Sequence, residues 1–282
     1  MNKAKRNILM SMIIFGTVGI FVRYIPLPSA TIALLRGALG MAFLLLLMCL
    51  TKKKINIADV KSNGVLLVLS AVALGCNWIL LFEAYRYTTV ATATICYYLA
   101  PVFLVLASPL LGERLTKKKV LLCCVALTGM VFVSGVLRGG ISGGRGIALA
   151  TGAAVLYATV VMINKRLKEI SAYDKTVVQL GAAALVILPY CLLTDGFDMS
   201  GMHMASFAAL AVVCIVHTGI AYWLYFGSVK QVPSQTVALI SYLDPVVAIL
   251  LSAVLLGEPL GWQGIVGAIL IIGSAVYSDL HE

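Results

Sequence analysis

Long apolar stretches separated by short polar loops constrain this chain more than any other feature of its sequence. A bilayer's hydrocarbon core is about 30 Å thick, so an α-helix needs about 20 apolar residues to cross it. The composition agrees with such crossings, because 61% of the 282 residues are hydrophobic and 11% are charged, whereas soluble domains carry roughly 25% charge. The stretches predict ten transmembrane spans, at 7–24, 29–50, 63–85, 88–111, 119–137, 146–164, 174–194, 204–226, 234–256 and 262–279. The predicted fold class is therefore an all-α integral membrane protein.

The Lys and Arg residues are distributed unevenly among the predicted loops. If the N-terminus is cytoplasmic, the outer segments hold only Arg23, Arg86, Arg138 and Arg145, and nearly all other basic residues lie in the inner segments. An excess of basic residues marks the cytoplasmic side, so both termini are predicted to be cytoplasmic. The charges form short runs rather than a basic helix face with interleaved aromatic residues, which argues against nucleic-acid binding. We expect a multi-pass protein of the cytoplasmic membrane, with the lipid bilayer as its surroundings.

One segment of the sequence occurs twice. Tyr98-Leu99-Ala100-Pro101-Val102 leads to Leu-Gly-Glu at 111–113, and Tyr242-Leu243-Asp244-Pro245-Val246 leads to Leu-Gly-Glu at 256–258. In each copy the proline lies inside an apolar span, where it removes a backbone donor and kinks the helix. Glu113 and Glu258, which follow Gly at a turn, are predicted to stabilise the start of the next helix.

The duplication predicts how the chain is divided. A first unit covers residues 1–137, a Gly-rich linker covers 138–145, and a second unit covers 146–282. Each unit holds five spans, and because five is odd, the second unit enters the membrane in the opposite sense. Inverted repeats of this kind are typical of carriers.

Ionisable residues inside the spans indicate a cavity or buried pairs, because a charge at the centre of a membrane helix costs about 2.5–3.5 kcal/mol on insertion scales. Asp244 is the strongest candidate, since its repeat counterpart is Ala100 and the fold therefore does not require an acid there. Burial disfavours the charged form of a carboxyl group, so Asp244 could bind and release a proton during transport. The alternative is a residue at a helix kink that hydrogen-bonds to a neighbouring hydroxyl group.

Each of three further ionisable residues inside the spans has two possible roles. Arg36 can hold a substrate carboxylate with its planar guanidinium group, or it can pair with Asp244 or Glu83. Glu83 lies near the outer end of its span and is either a site residue or a rim charge. His217 is either a proton carrier or a hydrogen-bonded packing residue, and no second His or Cys lies at the spacing of a metal site.

Aromatic and neutral polar residues complete the candidate set. Aromatic rings near an acid can surround an organic cation, whereas interfacial anchoring is the alternative, chiefly for Trp223 and Tyr225. Gln179 is the repeat counterpart of Arg36, and Asn77 is a second neutral polar residue inside a span. The candidate substrate-binding residues are Arg36, Asn77, Trp78, Glu83, Tyr98, Gln179, His217, Tyr222, Tyr242 and Asp244, and the candidate kink residues are Pro101 and Pro245.

The chain resembles EamA-type proteins of the drug/metabolite transporter superfamily over essentially its whole length. The matching segments are Leu35-Arg36-Gly37, residues 83–88, residues 217–222 and both proline-containing helices with their Leu-Gly-Glu ends. The resemblance implies a ten-helix carrier with a central cavity between spans 1–4 and 6–9, and with spans 5 and 10 at the periphery. Relatives are associated with amino acids, amines, nucleosides and other small metabolites, often as exporters.

These observations together predict a secondary transporter that works by alternating access. No Gly-x-x-x-x-Gly-Lys-Ser/Thr phosphate loop is present, so a gradient, of protons or of the substrate, would have to supply the energy. We expect a small polar metabolite, an amino acid or related compound, and export as the direction. The alternative is an organic-cation carrier that uses an acid and an aromatic cage, and a membrane-embedded enzyme acting on lipid-like substrates is less favoured. No cofactor or metal is expected, and the protein would be a monomer or a homodimer.

Overall fold

A computed structural model describes residues 2–134, 136–139, 143–194, 199–256 and 261–280 of the chain, and its regular elements there are all helical. The elements of the first part are α1 (Lys3–Val22), α2 (Ser29–Leu50), α3 (Ile57–Ser62), α4 (Gly64–Tyr87), α5 (Val90–Tyr97), α6 (Ala100–Ala107), a 3-10 turn (Ser108–Leu111), α7 (Lys117–Val133) and α8 (Val136–Gly139). Those of the second part are α9 (Gly144–Arg166), α10 (Ala172–Thr194), α11 (Met204–Cys214), a π-helical segment (Ile215–Ile220), α12 (Ala221–Ser228), a 3-10 turn (Val229–Gln231), α13 (Ser234–Ser241), α14 (Leu243–Leu256) and α15 (Trp262–Leu280).

Eight helical runs in the described residues are long and apolar enough to cross a membrane. These runs are Lys3–Val22, Ser29–Leu50, Gly64–Tyr87, Thr92–Leu111, Gly144–Arg166, Ala172–Thr194, Met204–Gln231 and Ser234–Leu255. They match eight of the predicted spans, so the expectation of an all-helical membrane protein is confirmed. The two remaining predicted spans contain α7 and α15, which are shorter apolar helices.

Three of the runs are interrupted, and two of the interruptions have a clear local cause. Proline cannot donate to the carbonyl group four residues earlier and clashes with it. Counting back from Pro101 and Pro245, these carbonyl groups belong to Tyr97 and Ser241, the last residues of α5 and α13. The third interruption, the π-helical segment Ile215–Ile220, lies inside a stretch for which the sequence predicted one continuous helix.

The helices pack as a bundle in which α4 contacts both α9 and α10, α2 contacts α10, and α1 contacts α12 and α14. Helices α7 and α15 pack chiefly against each other. A Cβ atom at Gly129 of α7 would lie 2.7 Å from the carbonyl oxygen of Gly267 of α15, so these glycines allow a close contact within one chain.

The two ends of the bundle differ in their side chains. The lysine end holds the side chains of Glu113, Lys165 and Lys230, and the Val90 end holds Val22, Ser29 and Val90. Residues 140–142 of the predicted linker lie outside the described residues. Residues 257–260 also lie outside them, so the Gly-Glu turn of the second copy and the role predicted for Glu258 are not described.

Candidate functional site

A central cavity of about 510 Å³ lies between the two parts of the chain. It extends from Val22, Ser29 and Val90 at one end of the bundle to Tyr157, Ser241 and Asp244 in the interior. Its wall also contains Met12, Phe15, Val18, Gly19, Arg36, Trp78, Leu81, Phe82, Tyr85, Thr94, Tyr97, Tyr98, Ala100, Pro101 and Tyr222. Both helix interruptions caused by proline therefore adjoin this cavity.

Asp244 lies in the wall of the cavity at the start of α14, directly after the helix interruption. Tyr98, the first residue of the other copy of the repeated segment, lines the same cavity. Within the described ranges, Asp244 takes part in no ion pair with Lys or Arg. The acid is thus placed where a ligand can reach it, without a protein cation to neutralise it.

Arg36 lines the same cavity from α2. Its Nε donates to Thr218 Oγ1 over 3.0 Å, and its guanidinium carbon lies 5.1 Å from the centre of the Trp78 ring. No carboxylate of the described residues pairs with it. The structure therefore contains neither of the alternative ion pairs of Arg36, with Asp244 or with Glu83.

Glu83 has other partners at the edge of the bundle. It accepts a hydrogen bond from the Tyr190 hydroxyl over 2.7 Å, and its Oε2 lies 3.4 Å from Arg86 Nη1. Glu83 does not line the cavity, although its neighbour Phe82 does. Its contacts are those of a rim charge.

Aromatic side chains form much of the cavity wall. Tyr222 contacts Phe15 and Trp78, with ring centres 5.1 and 6.0 Å apart. Tyr97 contacts Tyr98 and Tyr157, with ring centres 6.2 and 6.0 Å apart. The sequence singled out Trp78, Tyr98 and Tyr222, but nothing in it distinguished Phe15 or Tyr157 from other aromatic residues in apolar helices.

Four predicted site residues lie behind the wall. Asn77 Nδ2 donates to the Ala153 carbonyl over 2.6 Å, and Gln179 Nε2 donates to Ser70 Oγ over 2.7 Å. His217 Nε2 lies 2.6 Å from Thr17 Oγ1. The Tyr242 hydroxyl donates to the Tyr98 carbonyl over 3.0 Å. All four are buried in contacts between helices and have no surface in the cavity.

The cavity is closed towards the lysine end. Tyr225 and Phe226 of α12 are fully buried there, and the Tyr225 ring stacks on Tyr157 with centres 6.5 Å apart. Tyr225 is therefore a packing residue rather than an interfacial anchor. Trp223, two residues earlier in the chain, is half-buried. Its ring contacts Tyr173, with ring centres 5.1 Å apart.

A polar network joins the two parts of the chain at the lysine end. Glu113 Oε1 lies 3.0 Å from Lys165 Nζ and accepts a hydrogen bond from Ser234 Oγ over 2.8 Å. Glu113 Oε2 accepts from the backbone N–H of Ser234 over 2.7 Å. Lys165 also donates to the carbonyl of Val232.

The position of Glu113 corrects one expectation. The sequence predicted that Glu113 stabilises the start of the next helix, but Thr116 caps α7, accepting from Lys119 N over 3.4 Å. Glu113 instead caps α13, in the second part of the chain. Local sequence identified a helix-capping carboxylate, and only the tertiary structure shows which helix it caps.

The model of the EamA-like transporter family matches residues 7–135 and residues 144–278. The chain belongs to this family. It is thereby also placed among the drug/metabolite transporters that its sequence resembles.

Curated relatives carry transporter names. An uncharacterized transporter of Bacillus subtilis is 29% identical over 266 residues, which cover 89% of this chain and 81% of the relative. An uncharacterized transporter of Archaeoglobus fulgidus is 26% identical over 98% of this chain and 96% of its own length. A probable amino-acid metabolite efflux pump of Salmonella typhimurium is 29% identical over 171 residues, 57% of each chain.

A solved crystal structure shares the fold with a TM-score of 0.89 and 20% sequence identity, over 98% of this chain and 96% of the other. Family membership and the apolar helical runs show a multi-pass protein of the cell membrane with a transport role. The partners that follow are a small-molecule substrate and the lipid bilayer.

Proposed function

We propose that this EamA-family protein is a secondary transporter that exports an amino acid or a related zwitterion by alternating access. The observation that carries the proposal is that Arg36 and Asp244 line one cavity and are not paired with each other. Unpaired charges in a low-dielectric interior are costly. A zwitterion supplies a carboxylate for Arg36 and an ammonium group for Asp244, so its binding offsets both costs at once.

The contacts of Arg36 support this assignment. The Nε–H is directed at Thr218, and Trp78 covers one face of the guanidinium group. In the described part of the chain the Nη nitrogens have no hydrogen-bond partner. These are the donors that bind a carboxylate in the bidentate geometry for which Arg is suited.

The proposed topology has ten spans, with α7 and α15 as the fifth and tenth. The units are 1–137 and 146–282, joined by the linker 138–145 and inserted in opposite senses. The positive-inside rule then places both termini and the lysine end in the cytoplasm. The family matches to two successive segments of similar length support this division.

In this orientation the cavity faces the outside and the lysine end is the closed cytoplasmic side. Tyr225, Phe226 and the Glu113 network separate the cavity from the cytoplasm. Alternating access requires this barrier to open while the Val90 end closes. Glu113 of the first unit contacts Lys165 and Ser234 of the second, and units that move relative to each other can break and re-form these contacts.

Asp244 is also the proposed site of proton coupling. It is an acid in a largely apolar wall, and such surroundings disfavour the charged form. A proton on Asp244 would weaken its hold on a substrate ammonium group, which links proton binding to substrate release.

The second candidate is an organic-cation carrier with Asp244 and the aromatic wall as its cage. Tyr97, Tyr98 and Tyr222 favour it, because aromatic faces attract cations. The Trp78 ring, however, already contacts the guanidinium group of Arg36. The zwitterion uses both charges of the site and is the stronger proposal.

Ligand-dependent thermal stability of the detergent-purified protein tests this choice. The twenty amino acids are screened, and each stabilising one is compared with its amide and with the corresponding primary amine, on the wild type, Arg36→Gln and Asp244→Asn. A ligand at a hundred times its Kd adds roughly 2.7 kcal/mol. The proposal expects amino acids to stabilise the wild type and neither variant.

The other outcomes are equally informative. Stabilisation by amines that needs Asp244 but not Arg36 would establish the cation carrier instead. A wild type that no amino acid stabilises, and that shows no amino-acid counterflow in liposomes, would overturn the zwitterion proposal.

A further inference from the structure

The π-helical segment Ile215–Ile220 changes the helix geometry next to Arg36. The Thr218 hydroxyl donates to the carbonyl of Val213, five residues earlier, over 3.0 Å. Single π-helical turns inside α-helices are rare and occur frequently at functional sites. The segment therefore raises the question of what its side chains do.

The Thr218 hydroxyl group has a fixed orientation. A hydroxyl group has one hydrogen to donate and two lone pairs to accept with. The hydrogen of Thr218 is directed at Val213, which leaves the lone pairs for the Nε–H of Arg36 at 3.0 Å. Thr218 is fully buried, so water does not compete for this contact.

Helix α2 lies close to the π-helical segment at this point. Gly40, one turn after Arg36, would bring a Cβ atom to 3.1 Å from Thr218 Cγ2. A larger residue would push the helices apart and lengthen the contact between Arg36 and Thr218. Trp78 covers one face of the guanidinium group, with 5.1 Å from the guanidinium carbon to the ring centre.

We infer that Thr218 is a positioning residue that holds the guanidinium group of Arg36 with its Nη nitrogens towards the substrate carboxylate. The inference rests on the proposed amino-acid site. Without the Nε contact, rotation about the bonds of the long Arg36 side chain turns the Nη nitrogens away from the substrate carboxylate. Stacking on Trp78 alone does not fix the direction in which these nitrogens point. Thr218 thus acts on the carboxylate through Arg36 and does not touch the substrate.

Thr218→Val tests the inference, because it keeps the shape of the side chain and removes the acceptor. Thr218→Ser restores the hydroxyl group, and Thr218→Ala is a second variant without an acceptor. Thr176→Val is the matched control, because Thr176 is also buried but its hydroxyl bonds within its own helix, to the Ala172 carbonyl over 2.7 Å. Affinity is measured for a stabilising amino acid and for its amine analogue, which lacks the carboxylate.

We expect Thr218→Val and Thr218→Ala to weaken amino-acid binding about tenfold, as for a lost hydrogen bond to a charged group. Amine binding changes less than about twofold, and Thr218→Ser and Thr176→Val bind both ligands like the wild type. A purely structural role would instead weaken both ligands equally, and that result overturns the inference.

The two proposals fail differently. If Arg36→Gln abolishes amino-acid binding while Thr218→Val and Thr218→Ala bind normally, the positioning role is wrong and the zwitterion site stands. If Arg36→Gln binds amino acids like the wild type, the zwitterion site is wrong, and the positioning role falls with it.

Discussion

The two proline-containing segments are copies of one sequence pattern, but their helices begin in opposite surroundings. In the first, α5 is capped by its own Thr89, whose Oγ1 accepts from Thr92 N over 3.1 Å, and Val90 is 65% exposed at the mouth of the cavity. In the second, α13 is capped by Glu113 from the other part of the chain, and Ser234 is 0% exposed.

The starts of α5 and α13 are therefore equivalent in sequence but not in surroundings. One lies at the open end of the cavity, and the other is buried at the closed lysine end. In the proposed inverted repeat, exchanging these two surroundings would move the cavity opening from one side of the membrane to the other. A second difference lies in chemistry, since Asp244 of the second copy stands where the first has Ala100. The surroundings are exchangeable in principle, but the acid belongs to one copy only.

The largest expected effect concerns this acid. Asp244→Asn should reduce amino-acid counterflow in liposomes at least tenfold, because an ammonium group loses a charged partner that contributes about 1.5–3 kcal/mol. Glu83→Gln is the matched control and should cost less than about twofold, because Glu83 is engaged with Tyr190 and Arg86 outside the cavity. Equal losses in the two variants would show that Asp244 has no special role.

An intermediate effect is expected at the closed end. Glu113→Gln removes the charge that holds Lys165 and weakens the cap of α13, together about 1–2 kcal/mol. This corresponds to a five- to thirtyfold shift towards an open lysine end. The measurement is labelling of Val232→Cys by a membrane-impermeant maleimide from the cytoplasmic side, in a background without the native cysteines.

The control for this experiment is Glu169→Gln. Glu169 is an exposed carboxylate that pairs with Lys230 at the same end, with 3.2 Å between Oε1 and Nζ. Exposed pairs contribute little, so labelling should not change. Unchanged labelling in Glu113→Gln as well would contradict the proposed role of the network as a barrier.

The smallest expected effect is at the contact between the two copies. Tyr242→Phe removes one hydrogen bond to the Tyr98 carbonyl, worth about 1 kcal/mol. The melting temperature should fall by about 2–4 °C, with amino-acid binding unchanged, because Tyr242 is buried behind the wall. Tyr24→Phe, at an exposed ring, should change neither. Loss of binding in Tyr242→Phe would place this hydroxyl group in the site.

Much of the fold follows from sequence alone, for a physical reason. A helix that crosses a membrane must satisfy its backbone hydrogen bonds internally, so apolar length marks each crossing directly. The proline positions likewise act on the carbonyl groups four residues earlier, wherever the helix lies. Asp244 and Arg36 could be singled out because charges in apolar spans are costly.

Side-chain partners depended on packing between distant segments. No local pattern shows that Arg36 contacts Thr218, that Glu113 caps α13, or that His217 and Gln179 face other helices rather than the cavity. Every one of these contacts joins residues more than a hundred positions apart. Apolar helices are similar on all faces, so their sequences do not say which face meets the cavity. That choice is made when the helices assemble.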